Sequence, residues 1–126
     1  MKGVFVTKAT IVNEDNRRKI IEIQNGQLSI KNMKVLIVKE DSYLGGHWHT
    51  YSEIMHILKG GATDYKMTNL DTNETEVFNL VEGDTVFRTG RIVHGGWFKK
   101  DSIVIDGAAQ SYVSRDFNDI VVEGFK

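Results

Sequence analysis

From Val4 to Ala108 the chain offers only short runs rich in β-branched and aromatic residues, and none carries the sustained apolar stripe of an amphipathic helix. Even Asn16 to Ile23, the nearest approach to a helical pattern, reads better as a strand entered from a charged loop. Turn signals break the runs at Asn25-Gly26, Gly45-Gly46, Gly60-Gly61, Glu82-Gly83-Asp84 and Gly95-Gly96. Proline is absent, so glycine, asparagine and aspartate must make the turns. Strands are expected at about Val4 to Thr7, Lys19 to Gln24, Lys34 to Lys39, Gly46 to His49, Ile54 to Lys59, Thr63 to Asn69, Glu76 to Leu80, Thr85 to Phe87, Val93 to Phe98 and Ser102 to Ala108. Many short strands call for a sandwich or a barrel, which limit exposed sheet edges, and a length of 126 residues favours one small barrel.

The expected organisation is one domain over residues 1–126, with N-terminal strands in 1–31, the barrel in 32–108 and a tail in 109–126. Beyond Tyr112 the alternation fades, and the tail is expected to dock on the barrel or on a second subunit. A net charge of -1 shows no basic patch for a polyanion, so nucleic acid is not an expected partner. The absence of cysteine excludes disulfides, thiolate metal sites and a cysteine nucleophile. No signal-like N-terminus and no apolar run of membrane-spanning length is present, so a soluble, cytoplasmic protein without a membrane partner is expected.

The chemistry concentrates in Gly46 to Gly60, read G-H-W-H-T-Y-S-E-I-M-H-I-L-K-G. Side chains alternate along a strand, so His47 and His49 project to the same face, with Glu53 re-entering beyond a short bend. His94, at the end of a later strand-like run, can close the set from a neighbouring strand. Three imidazole nitrogens and one carboxylate suit a divalent first-row metal (Fe, Mn, Ni, Co, Cu or Zn) better than calcium or magnesium.

These residues have the spacing of a known family. His47-x-His49-x3-Glu53-x6-Gly60 resembles the first motif of the cupin superfamily, and Gly83-x10-His94 resembles its second, over about Asn32 to Ala108. The sequence departs from the pattern at Asp41, Arg91 and Thr89, where glycine, glycine and proline are usual, and at Phe98, sometimes asparagine. The resemblance implies an all-β double-stranded β-helix, the jelly-roll barrel, with His47, His49, Glu53 and His94 as metal ligands. A narrower resemblance, through Asp15 to Ile23, Val35 to Val38 and Gly46 to His49, is to the nucleotide-sugar cupins, the dTDP-4-dehydrorhamnose 3,5-epimerase-like proteins and dTDP-sugar 3,4-ketoisomerases. That branch implies metal-free proton transfer by a histidine base next to a ketone. Its pattern Asp-x-Arg-Gly is Asp15-x-Arg17-Arg18 here, and Glu53 stands where those ketoisomerases usually lack a ligand carboxylate, which favours the metal reading.

The leading functional expectation is a metal-binding cupin enzyme that isomerises, epimerises or oxygenates a small oxygen-bearing substrate, with His49 and Glu53 catalytic. The alternatives are a metal-independent nucleotide-sugar epimerase or ketoisomerase with His49 or His47 as base, and a non-catalytic cupin that binds a small ligand. Tyr65, Met67 and Arg88 could line the barrel mouth, and a buried Arg88 would need an anionic partner such as a substrate carboxylate or phosphate; Arg88 and Tyr65 are thus the candidate substrate-binding residues. Asp106 could orient a ligand histidine or simply end its strand. Trp48 and His56 have the parity to face away from the ligand side, and with the strand at 34–38 they offer a surface for the homodimer that the cupin resemblance implies.

Overall fold

Alternating inward and outward side chains build the strands of this protein, seen in a computed structural model that describes residues 1–126. In chain order the strands are β1 (Val4–Lys8), β2 (Thr10–Glu14), β3 (Lys19–Glu22), β4 (Asn32–Ile37), β5 (Ser42–Trp48), β6 (Glu53–Lys59) and β7 (Gly61–Asn69). They continue with β8 (Thr75–Val81), β9 (Asp84–Arg88), β10 (Ile92–Phe98) and β11 (Ile103–Ala108), then the one-turn helix α1 (Arg115–Asn118) and β12 (Ile120–Val121). In β7, Tyr65, Met67 and Asn69 are buried while Lys66 and Thr68 stay partly in solvent, the period-two pattern of a half-buried strand.

Two five-stranded antiparallel sheets face each other, one in the order β1-β9-β6-β11-β4 and the other β12-β5-β10-β7-β8. Their inner faces bury an apolar core that includes Met55, Ile57, Tyr65, Met67, Val86, Phe98 and Val104. The β2–β3 hairpin stands apart as its own two-stranded sheet, with Ile11, Val12, Ile20 and Ile21 exposed. No helix is long and apolar enough to cross a membrane.

The all-β reading holds, and every expected strand lies on an observed one. Two of the expected turns do not exist: Gly45-Gly46 lies inside β5 and Gly95-Gly96 inside β10. Their role is close approach across a β-bulge. The β5–β10 register shifts between His94 and Gly95, and a Cβ on Gly45 would meet the His94 carbonyl oxygen at 2.5 Å. β2 and β12 escape the sequence reading because Thr10–Glu14 is wholly exposed and β12 has only two residues. The tail docks on the barrel of its own chain: β12 pairs with β5, and the Val122 amide donates to the Gly46 carbonyl at 2.8 Å.

Candidate active site

Strand pairing assembles the histidines. His47 on β5 lies directly opposite His94 on β10, with ring centroids 4.8 Å apart. His49, just past the end of β5, places its ring 4.7 Å from that of His47 and 5.2 Å from that of His94. One ligand atom from each of the three can lie within 4.8 Å of the others.

Glu53 opens β6 and pairs in register with Arg88 on β9. Glu53 Oε1 accepts from Arg88 Nε at 3.1 Å and lies 3.0 Å from Arg88 Nη2, while Arg88 Nη1 donates to the Tyr65 hydroxyl at 3.2 Å. Arg88 is only 3% exposed, and although burial alone would lower its pKa, the Glu53 carboxylate and Tyr65 hold it above the usual arginine value. Burial pushes the Tyr65 phenol up. The anionic partner expected of Arg88 from outside the protein is thus supplied from within it. Arg88 and Tyr65 both line the cavity, whereas Met67 belongs to the core.

The tail completes the surroundings of His49. Its Nδ1 is 2.7 Å from the Asn118 carbonyl oxygen and 3.5 Å from Asp119 Oδ1, while Asp119 Oδ2 lies 3.8 Å from His47 Nδ1. A carbonyl only accepts, so the hydrogen bond assigns the proton to Nδ1 and makes Nε2, 3.2 Å from Glu53 Oε1, the nitrogen that can exchange a proton. The Tyr51 ring stacks on His49 at 5.0 Å and 19°, and its hydroxyl accepts from Asn118 Nδ2 at 3.1 Å. Asn118 in turn holds its own loop, its Oδ1 accepting from the Val113 and Ser114 amides at 2.9 and 3.2 Å. His94 Nδ1 donates to the Ile92 carbonyl at 2.9 Å. Burial, then the Arg88 guanidinium, drive His94 well below the ordinary histidine value, and burial followed by the neighbouring His49 holds His47 down to about 4. Both are neutral at pH 7.

These groups line a cavity of about 420 Å³ that opens between the sheets. Its apolar wall is Leu36, Leu44, Met55 and Phe98, and its outer wall carries Lys34, Tyr112 and Arg115, all exposed. Lys34 Nζ sits 3.8 Å from the centre of the Tyr112 ring. Asp106, on β11, faces the same cavity.

As metal donors, the three imidazoles fit a divalent ion: two of them are neutral and all are close together. Glu53 is not part of that three-histidine cluster, although its Oε1 lies 3.2 Å from His49 Nε2 and 3.9 Å from His94 Nε2, and the guanidinium bonded to it opposes a nearby dication. Trp48 points out of the cavity, beneath the Arg91 guanidinium at 5.2 Å. His56 does leave the ligand side as expected, yet it is not a surface histidine: it is 1% exposed, with Nδ1 2.9 Å from the Oγ1 of Thr85, its partner in register on β9. Tyr51, Asn118 and Asp119 were not legible in the sequence. The only local signal was Ser114, four residues before Asn118, which caps α1 by accepting from the Phe117 amide.

Comparison of the whole backbone with solved structures decides the architecture. A sugar 3,4-ketoisomerase from Thermoanaerobacterium thermosaccharolyticum, QdtA, solved with TDP, superposes with a TM-score of 0.78 over 99% of this chain and 92% of that one, at 16% identity. The fold is that of the cupin jelly roll. Within this RmlC-like group of cupins, the rmlC epimerase of Mycobacterium tuberculosis gives a TM-score of 0.80 at 12% identity, covering 98% of this chain and 70% of that one. WlaRA, a TDP-fucose-3,4-ketoisomerase from Campylobacter jejuni, gives 0.71 at 18% identity, covering 93% and 87%. No protein-family model matches the sequence, and no curated protein matches it. At these identities the likeness shows the cupin fold, and the chemistry must be argued from the site.

Proposed function

We propose that this cupin is a nucleotide-sugar isomerase or epimerase in which His49 moves a proton at a carbon next to a keto group. The observation that carries this reading is the pairing of His49 Nδ1 with the Asn118 carbonyl at 2.7 Å, beside the Asp119 carboxylate. It fixes one tautomer, turns Nε2 toward the cavity and stabilises the imidazolium that forms when Nε2 takes a proton. Removing a proton from the carbon beside a ketone leaves an enolate. Delivery of a proton to the opposite face by a second donor epimerises the carbon; where that carbon carries a hydroxyl, protonating the former carbonyl carbon while the hydroxyl proton passes to the old carbonyl oxygen moves the ketone. Glu53, tied to Arg88, lies 3.2 Å from Nε2 and accepts from it once Nε2 holds the proton. At the outer wall, Lys34 and Arg115 are cations suited to a diphosphate and Tyr112 offers a face for a base. The solved proteins of the same fold include enzymes that act on TDP-linked sugars, which supports this substrate class.

The experiment is solvent-deuterium incorporation into a TDP-4-keto-6-deoxy sugar, with and without chelator. Chelator-insensitive exchange lost in His49→Asn supports the proposal; no exchange with any keto-sugar refutes it.

A second reading rests on the three clustered imidazoles. A divalent ion held by His47, His49 and His94 would supply Lewis acidity toward a carbonyl oxygen. Metal analysis of protein purified without chelator tests it: stoichiometric metal lost in His94→Ala supports this reading, and a metal-free protein after reconstitution ends it. For assembly, we propose a homodimer through the outer face of β4, where Met33, Val35 and Ile37 are each more than 60% exposed in alternation. Sedimentation at micromolar concentration tests it, and a monomer there refutes it.

A further inference from the structure

Most of the polar groups facing the cavity are engaged with one another. Glu53 holds Arg88, Arg88 holds Tyr65, Asn118 holds His49 and Tyr51, and His94 is tied to the Ile92 carbonyl. Two groups are not, the Tyr43 hydroxyl and Asp106, and of these Asp106 is the carboxylate. It projects inward from β11, between Met55 of β6 and Lys34 of β4 in the sheet register, and it lines the cavity. Its Oδ1 is shielded from solvent and has no hydrogen-bond partner in the protein. An unpaired buried oxygen destabilises a fold, so such a group in a cavity wall calls for a partner from the cavity, a water or a ligand.

We propose that Asp106 is a hydroxyl-binding residue of the substrate site, one that takes an O–H of a sugar ring. This rests on the nucleotide-sugar reading above and adds to it the residue that recognises the sugar. The partner's chemistry follows from the neighbours. A cationic ligand group would have to approach past the Arg88 guanidinium and the Lys34 ammonium, and an anionic one would meet the nearby Glu53 carboxylate. A neutral hydroxyl meets neither obstacle. Burial, then Glu53, push the Asp106 carboxyl up to about 6, so it accepts from a hydroxyl when ionised and can also donate when protonated. Neither role that its strand position suggested holds: Asp106 bonds to no histidine, and β11 continues past it to Ala108.

The test is calorimetric titration of the wild type, Asp106→Asn and Asp106→Leu with TDP and with TDP-glucose. The wild type is expected to bind TDP-glucose more tightly than TDP. Asp106→Leu should lose about tenfold of that difference, the worth of one good hydrogen bond, with TDP affinity unaltered. Asp106→Asn, which keeps the shape and one acceptor, should fall between them and decides the matter if the leucine variant does not fold. Variants that keep the wild-type ratio, or a wild type that binds both ligands equally, overturn the subsite and leave the proposed reaction standing. If the wild type binds neither nucleotide, the nucleotide-sugar reading fails, and saturation-transfer NMR with methyl glucoside judges Asp106 alone. A wild-type signal that the variants lose upholds the subsite; equal signals, or none in the wild type, overturn it.

Discussion

Arg88→Met removes a guanidinium that bonds Glu53 through two nitrogens and Tyr65 through the third. Arg88 is 3% exposed and Glu53 8%, so water from the cavity replaces the lost partner only in part. Leaving one member of a buried pair uncompensated costs about 3–5 kcal/mol. Against a total stability of about 5–15 kcal/mol for a domain of this kind, that is a large fraction. With a urea dependence of about 2 kcal/mol per molar, the unfolding midpoint should fall by roughly 2 M. The double variant Arg88→Met/Glu53→Leu removes both charges, and replacing a buried pair with apolar side chains is often close to neutral. It should therefore recover to within about 1–2 kcal/mol of the wild type. Urea titration followed by circular dichroism measures all three proteins. A single variant that loses under about 1 kcal/mol, or a double variant as unstable as the single, would refute the claim that Glu53 depends on Arg88 for its charge.

Asn118→Ala should release the loop that presents the carbonyl to His49, lowering the proton-exchange rate by about 10- to 100-fold and replacing a single ring tautomer with a mixture. Nitrogen-15 shifts of the His49 ring report the tautomer independently of turnover, and Asn118→Asp, which keeps an acceptor for the Val113 and Ser114 amides, should restore part of it. Stability should also depend on pH through two opposing groups. His47, held down from 6.5 to about 4, binds its proton more weakly in the folded protein, so its contribution grows as pH rises across that interval. Asp106, pushed up from 3.8 to about 6, binds its proton more tightly when folded, so its contribution is lost as pH rises across its own interval. Each effect is about 3 kcal/mol and they nearly offset between pH 4 and 6, with buried His94 adding to the His47 side. Asp106→Leu should therefore steepen the rise in melting temperature between pH 4 and 6.5, and an unchanged slope would count against the buried, unpaired state of this carboxyl.

Much of the site was legible before any coordinates. His47 and His49 share a face because strand side chains alternate, and that periodicity is local. His94 could be placed with them through the spacing of a second motif, and the β5–β10 ladder sets it directly opposite His47. The glycine pairs misled for a definite reason. Gly45-Gly46 and Gly95-Gly96 look like turns in a linear reading, yet they are where two strands come too close for a Cβ, which is a property of the pair.

By itself the sequence determined the all-β architecture and the shared face of His47 and His49, because both follow from short-range rules, strand composition and the period of two, while His94 joined them through the resemblance of its motif to a known family. Only the tertiary structure decided what those residues are bonded to. Glu53 meets Arg88 because β6 and β9 pair in one particular register, and a shift of one residue would have turned either side chain to the opposite face. Asn118 reaches His49 across 69 residues of chain because β12 adds to the edge of β5, a pairing of two residues that no periodicity announces. Partners so far apart in the chain are chosen by register and docking, and through them a set of donors that reads as a four-ligand metal site becomes three imidazoles, one of them oriented by the tail, beside a carboxylate held in a buried ion pair.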